Sequence, residues 1–65
     1  MKKTTNVIWT KDGFEKSMQF ESATQAVKAA FDPIYYPLEI PDYSGMQIVI
    51  SDDATGKILR EYTEA

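Results

Sequence analysis

Cysteine and histidine are both absent from this 65-residue chain, and each absence closes off a class of chemistry. Without cysteine there is no disulfide, no reactive thiol and no thiolate zinc site. Without histidine the chain lacks the commonest transition-metal ligand and the usual general base near neutral pH. Its three glycines, Gly13, Gly45 and Gly56, stand apart from one another, so no glycine-rich loop is available to cradle a phosphate. Long apolar runs are also lacking. Val7-Ile8-Trp9 follows Lys2 and Lys3, but a signal-peptide core needs roughly 7–15 apolar residues. No stretch approaches the ~20 apolar residues of a membrane span. The expectation is a cytoplasmic protein without a membrane partner.

Sixty-five residues form one domain, because a chain this short does not bury two cores. Below roughly 70–80 residues a single core rarely supplies more than about 3–5 kcal/mol. With disulfides and thiolate zinc excluded, self-association is one remaining route to extra stability, and a homo-oligomer is among the expected states. The net charge of −3 is unevenly distributed: residues 1–31 carry +2 and residues 32–65 carry −5. An acidic balance disfavours nonspecific attraction to nucleic-acid phosphates. It suits solubility or a protein partner with a basic patch.

Four extended segments and one helix are legible. Thr5 to Lys11 is rich in β-branched and aromatic residues, and Phe14 to Glu21 alternates apolar with polar at Phe14, Met18 and Phe20. Between them, Asp12-Gly13 is the sequence of a two-residue type I′ hairpin turn. That turn pairs Lys11 with Phe14, Trp9 with Lys16, Val7 with Met18 and Thr5 with Phe20. It gathers Val7, Trp9, Phe14, Met18 and Phe20 on one face, whereas a three-residue loop would split the apolar set.

Ser22-Ala23-Thr24-Gln25 has the spacing of a capping box, with Ser22 as N-cap and Gln25 reaching back. Apolar residues then recur at helical spacing at Ala23, Ala26, Val27, Ala30 and Phe31. Asp32-Pro33 stops the helix, since the residue before proline is pushed out of the α region. A helix of about two and a half turns with one apolar stripe depends on a sheet to lie on. From Pro33 to Gly45, prolines at every fourth position favour extended or polyproline backbone. Met46 to Ser51 then reads as a strand with Ile48 and Ile50 on one face. Asp52 to Gly56 forms a turn and Lys57 to Thr63 a last strand. The expected fold is α+β, with order ββαββ. Two hairpins form a four-stranded, mostly antiparallel sheet, with one short helix on one face and a Pro/Tyr-rich loop over 33–45. Residues 1–4 are expected to be flexible.

Four constellations bear on function. Asp52, Asp53, Thr55 and Gly56 invite comparison with a calcium loop, but Gly56 falls before the sixth position counted from either aspartate. The pattern is that of a hairpin connection, with aspartate bonding nearby donors and glycine supplying positive φ. Ten acids are present, yet glycosidase chemistry needs two carboxyls across a cleft that so small a domain hardly forms. Neither Ser-x-x-Lys nor Tyr-x-x-x-Lys occurs. The chain is therefore read as a non-enzyme, with no catalytic residues, no metal ligands and no cofactor.

Trp9, Lys11, Phe14 and Lys16 interleave aromatics with lysines, as a single-strand nucleic-acid surface does. The competing reading makes Trp9 a core-edge aromatic with the Lys16 stem over it. The Pro/Tyr segment is the most unusual feature, because Ile34, Tyr35, Tyr36, Leu38, Ile40 and Tyr43 make it too apolar for a solvated loop. It is expected to cover the core, to present a recognition surface, or to divide its side chains between the two. The leading expectation is a small accessory module that binds another protein through Tyr35, Tyr36, Leu38, Asp42 and Tyr43. Short acidic domains of this kind are frequent among bacterial, phage and mobile-element accessory genes. The alternative is a nucleic-acid-binding domain that uses Trp9, Lys11 and Lys16.

Overall fold

The Asp12-Gly13 turn forms as its residues require: φ is 52° at Asp12 and 84° at Gly13, both in the left-handed region that a type I′ turn demands. In the computed structural model, which describes residues 2–65, this turn joins β1 (Thr5–Lys11) to β2 (Phe14–Phe20). The helix α1 (Ala23–Ala30), a 3-10 turn (Pro33–Tyr35), β3 (Gln47–Asp52) and β4 (Ile58–Thr63) follow. The β1–β2 register is the one the two-residue turn implies, with Thr5 opposite Phe20, Val7 opposite Met18, Trp9 opposite Lys16 and Lys11 opposite Phe14. All pairings are antiparallel, in the order β2-β1-β3-β4. The fold is α+β, one four-stranded sheet with one helix on one face.

One face of the sheet carries the core. Val7 and Trp9 of β1 lie beside Ile50 and Ile48 of β3, and all four are buried. The helix packs over β1, β2 and β3, and it buries Ala26, Ala29 and Ala30. Small residues let the helix lie close to the indole of Trp9, whose Nε1–H donates to the carbonyl of Ala30 at 3.1 Å. That bond satisfies one of the carbonyls a helix C-terminus leaves without an intrahelical partner. The opposite face is largely polar, with Asn6 and Gln19 both donating to Asp53 Oδ1 at 3.1 Å.

Local details depart from expectation in four places. Ser22 caps the helix through the Gln25 N–H, but the Gln25 side chain accepts from Glu21 rather than from Ser22, one residue further back. Phe31 lies outside the helical stripe; it is the exposed C-cap and stands edge-on to Tyr62 of β4 at 5.1 Å. Pro33 does not continue as extended chain. It opens a 3-10 turn, because proline suits the first position of a helical turn and the Asp32 carboxylate accepts from the Ile34 N–H. Thr4, expected in the flexible lead, extends the ladder: its N–H donates to Phe20 O and its carbonyl accepts from the Asp53 N–H. Met1 lies outside the described residues.

The β3–β4 turn matches its composition. Asp52 Oδ2 accepts from both the N–H and the hydroxyl of Thr55 at 3.0 Å, and Gly56 takes φ 73°. The β3–β4 register slips by one residue between Ile50 and Ser51, so a bulge interrupts β4 near Leu59. No helix among the described residues is long and apolar enough to cross a membrane.

Candidate interaction surface

The segment from Pro33 to Met46 is built from the core outward. Tyr36, Pro37, Ile40 and Met46 are buried, and Tyr36, Ile40 and Met46 belong to the same cluster as Trp9, Ile48 and Ala26. Backbone bonds tie the segment to itself, from Tyr36 N–H to Pro33 O, from Ile40 N–H to Pro37 O and from Met46 N–H to Tyr43 O. Two tyrosines brace it further. The rings of Tyr36 and Tyr43 meet edge-on at 4.9 Å. Tyr43 donates its hydroxyl to Pro37 O at 3.1 Å, and Tyr36 donates its own to Glu64 Oε2 at 3.2 Å. Burial, and next the Glu64 carboxylate, push the Tyr36 phenol above its ordinary pKa.

Lysines from the first hairpin hold the segment's two ends. Lys16 donates to Tyr35 O at 2.7 Å while its ammonium stands 5.5 Å from the centre of the Trp9 ring. Lys11 donates to the Asp42 carbonyl. The Asp42 carboxylate accepts from the Ser44 N–H at 3.0 Å. Bonding to Ser44, and then the charge of Lys11, hold it below the ordinary aspartate pKa.

The five residues singled out from the sequence therefore divide. Tyr36 turns fully inward, and Tyr35 and Tyr43 are half-buried, with Tyr35 edge-on to Phe20 at 6.3 Å. Leu38 and Asp42 face solvent. Leu38 is 84% exposed, and Ile34, which the sequence did not single out as a contact residue, is 76% exposed. No periodicity marks that division, because the prolines and the 3-10 turn set each side chain's direction individually.

The hairpin cluster is not an aromatic stacking surface. Trp9 is 0% exposed, Lys16 is engaged with Tyr35, and Phe14 packs half-buried against the core. A shallow groove of about 400 Å³ runs between Phe20, Gln25, Lys28 and Tyr35. No group of three or more acidic side chains gathers as metal ligands among the described residues. Compared with family models, with curated proteins and with solved structures, the chain has no match.

Proposed function

We propose that this chain is a small, non-enzymatic accessory module of the cytoplasm that binds another protein through the outer side of its Pro/Tyr flap. The supporting observation is the pairing of exposure with anchorage. Leu38 and Ile34 are the most exposed large apolar side chains described. Leu38 follows the buried Tyr36 and Pro37, and Ile34 sits in a 3-10 turn held by the Asp32 carboxylate and by the Lys16 bond to Tyr35 O. Apolar groups on preorganised backbone lose little conformational freedom on binding, which favours affinity per contact. Asp42 adds a fixed negative charge at the far end of the flap and fits a partner with a basic rim. The net acidic chain, with its excess in residues 32–65, suits the same partner. A bacterial, phage or mobile-element accessory gene is the source that such a short acidic domain suggests. This reading assigns no role to nucleic acid.

The test is the double substitution of Ile34 and Leu38 by serine. Thermal unfolding of the variant is expected to match the parent, while a protein captured by the parent and identified by mass spectrometry is lost. Equal capture by both proteins would overturn the reading.

A further inference from the structure

The edge strand β4 carries a charge pattern that is complementary to itself. Every residue from Ile58 to Thr63 is exposed, and β4 ends the sheet. Its second neighbour position is open in the direction its backbone faces. Glu64 directs both backbone groups toward the β3 side: its N–H donates to Met46 O and its carbonyl accepts from Gly45 N–H, each at 2.8 Å. Backbone groups alternate along a strand, so those of Thr63 and Glu61 point away from the sheet. Arg60 and Tyr62 lie on the helix side, opposite Ile50 and Ile48, and Glu61 lies on the other face, opposite Val49.

We infer that β4 is the interface of a homodimer, pairing antiparallel with β4 of a second copy about a two-fold axis at Tyr62. The register follows from three constraints. A two-fold that continues one sheet keeps each face on its own side, so facing residues differ by an even number. The bulge near Leu59 at one end and the last bonds to the β3 side at Glu64 at the other confine regular pairing to residues 60–64. Within that stretch, an axis at Glu61 sets Glu61 against its own copy, and an axis at Thr63 forms no ion pair. An axis at Tyr62 sets Arg60 opposite Glu64 of the second copy, twice by symmetry. It also pairs Glu61 with Thr63 of the copy through the outward backbone groups. The Tyr62 rings meet at the axis, each backed by its own Phe31 at 5.1 Å. An extended peptide of another protein could use the same backbone groups, but only a second copy supplies this reciprocal charge pattern. The interface touches the flap only through Glu64, which accepts from the Tyr36 hydroxyl; it uses neither Ile34 nor Leu38 and does not rest on the reading proposed for them.

Sedimentation of the full chain tests the inference. Because the contact is small, the weight-average mass is followed from about 10 µM to about 1 mM, the range of weak and transient interfaces. The parent is expected to rise from 7.4 kDa toward twice that mass. Arg60→Glu and Glu64→Arg each set like charges opposite one another and raise the dimer Kd about tenfold or more. Mixed in equal amounts, the two variants form a heterodimer with both ion pairs restored, and the mass recovers. Glu64→Arg also removes the acceptor of the Tyr36 hydroxyl, so Thr63→Pro serves as a second probe. It deletes an N–H directed away from β3 and is expected to leave a folded monomer by circular dichroism. A parent that stays monomeric throughout, a dimer that survives all three substitutions, or a mixture that fails to recover would overturn the interface.

Discussion

The two edges of the sheet are covered very differently. On β2, Phe14, Lys16, Met18 and Phe20 are half-buried in alternation with exposed polar residues. The helix packs on β2, Phe14, Met18 and Phe20 lie against the core, and Lys16 and Phe20 also meet Tyr35. On β4 every residue is exposed, although Ile58, Leu59 and Tyr62 are large and apolar. Both strands pair with one neighbour only, so strand pairing does not account for the contrast. What differs is the covering layer. The chain leaves β2 directly into α1, which packs over β1, β2 and β3, and returns as the flap, whose buried residues join those of β1 and β3. At the β4 end the described contacts are those of Phe31 with Tyr62 and of Tyr36, Gly45 and Met46 with Glu64. In so short a chain one helix and one flap cover about three strands, and the fourth remains available for contact.

This contrast orders the expected effects of substitution. The largest is at the centre of the covered region. Trp9→Ala removes a fully buried indole and its bond to Ala30, and such truncations cost about 3–5 kcal/mol. That equals the roughly 3–5 kcal/mol that a core of this size supplies, so the far-UV circular dichroism of the variant is expected to be that of an unfolded chain. Met46→Ala comes next. Met46 is fully buried where the flap meets β3, and a loss of about 2–5 kcal/mol is expected in urea unfolding. A loss no larger than that of a surface substitution would place the flap outside the cooperative unit.

Tyr36→Phe is smaller. It removes the hydroxyl bond to Glu64 while keeping the ring, at a cost of about 0.5–1.5 kcal/mol. Its pH dependence sharpens the test. The folded-state pKa of Tyr36 lies above its ordinary value, so the unfolded chain loses that proton first. The Tyr36 contribution is complete below about pH 10 and declines as the pH rises through and beyond that value. Parent and Tyr36→Phe stabilities are therefore expected to converge in strongly alkaline solution. The smallest effect is on the uncovered strand. Leu59→Ser, at an exposed position beside the bulge, is expected to change stability by less than about 0.5 kcal/mol in dilute solution.

Legibility from sequence follows the same division. The β1–β2 register could be read residue by residue, because a two-residue turn and a period of two leave one pairing that keeps an apolar face intact. The helix N-cap was equally local. The flap was legible only as an anomaly of composition. Tyr36 and Leu38 are two residues apart in a stretch without ladder or helix, and nothing in their order says that one is buried and the other exposed. The 3-10 turn at Pro33 and the bonds from Lys11 and Lys16 decide it, and those bonds join residues 19 and 31 positions apart. Lysines read as candidate phosphate contacts instead serve as donors to the flap backbone.

The central claim is that the flap is part of the cooperative fold and so holds its outward side chains in fixed positions. Residue-resolved amide hydrogen exchange tests it most directly. The N–H groups of Tyr36, Ile40 and Met46, bonded to Pro33, Pro37 and Tyr43, are expected to open with the same free energy as the amides that join β1 to β3. Exchange of those three amides at the rate of an exposed loop, with β1 and β3 still protected, would contradict the account.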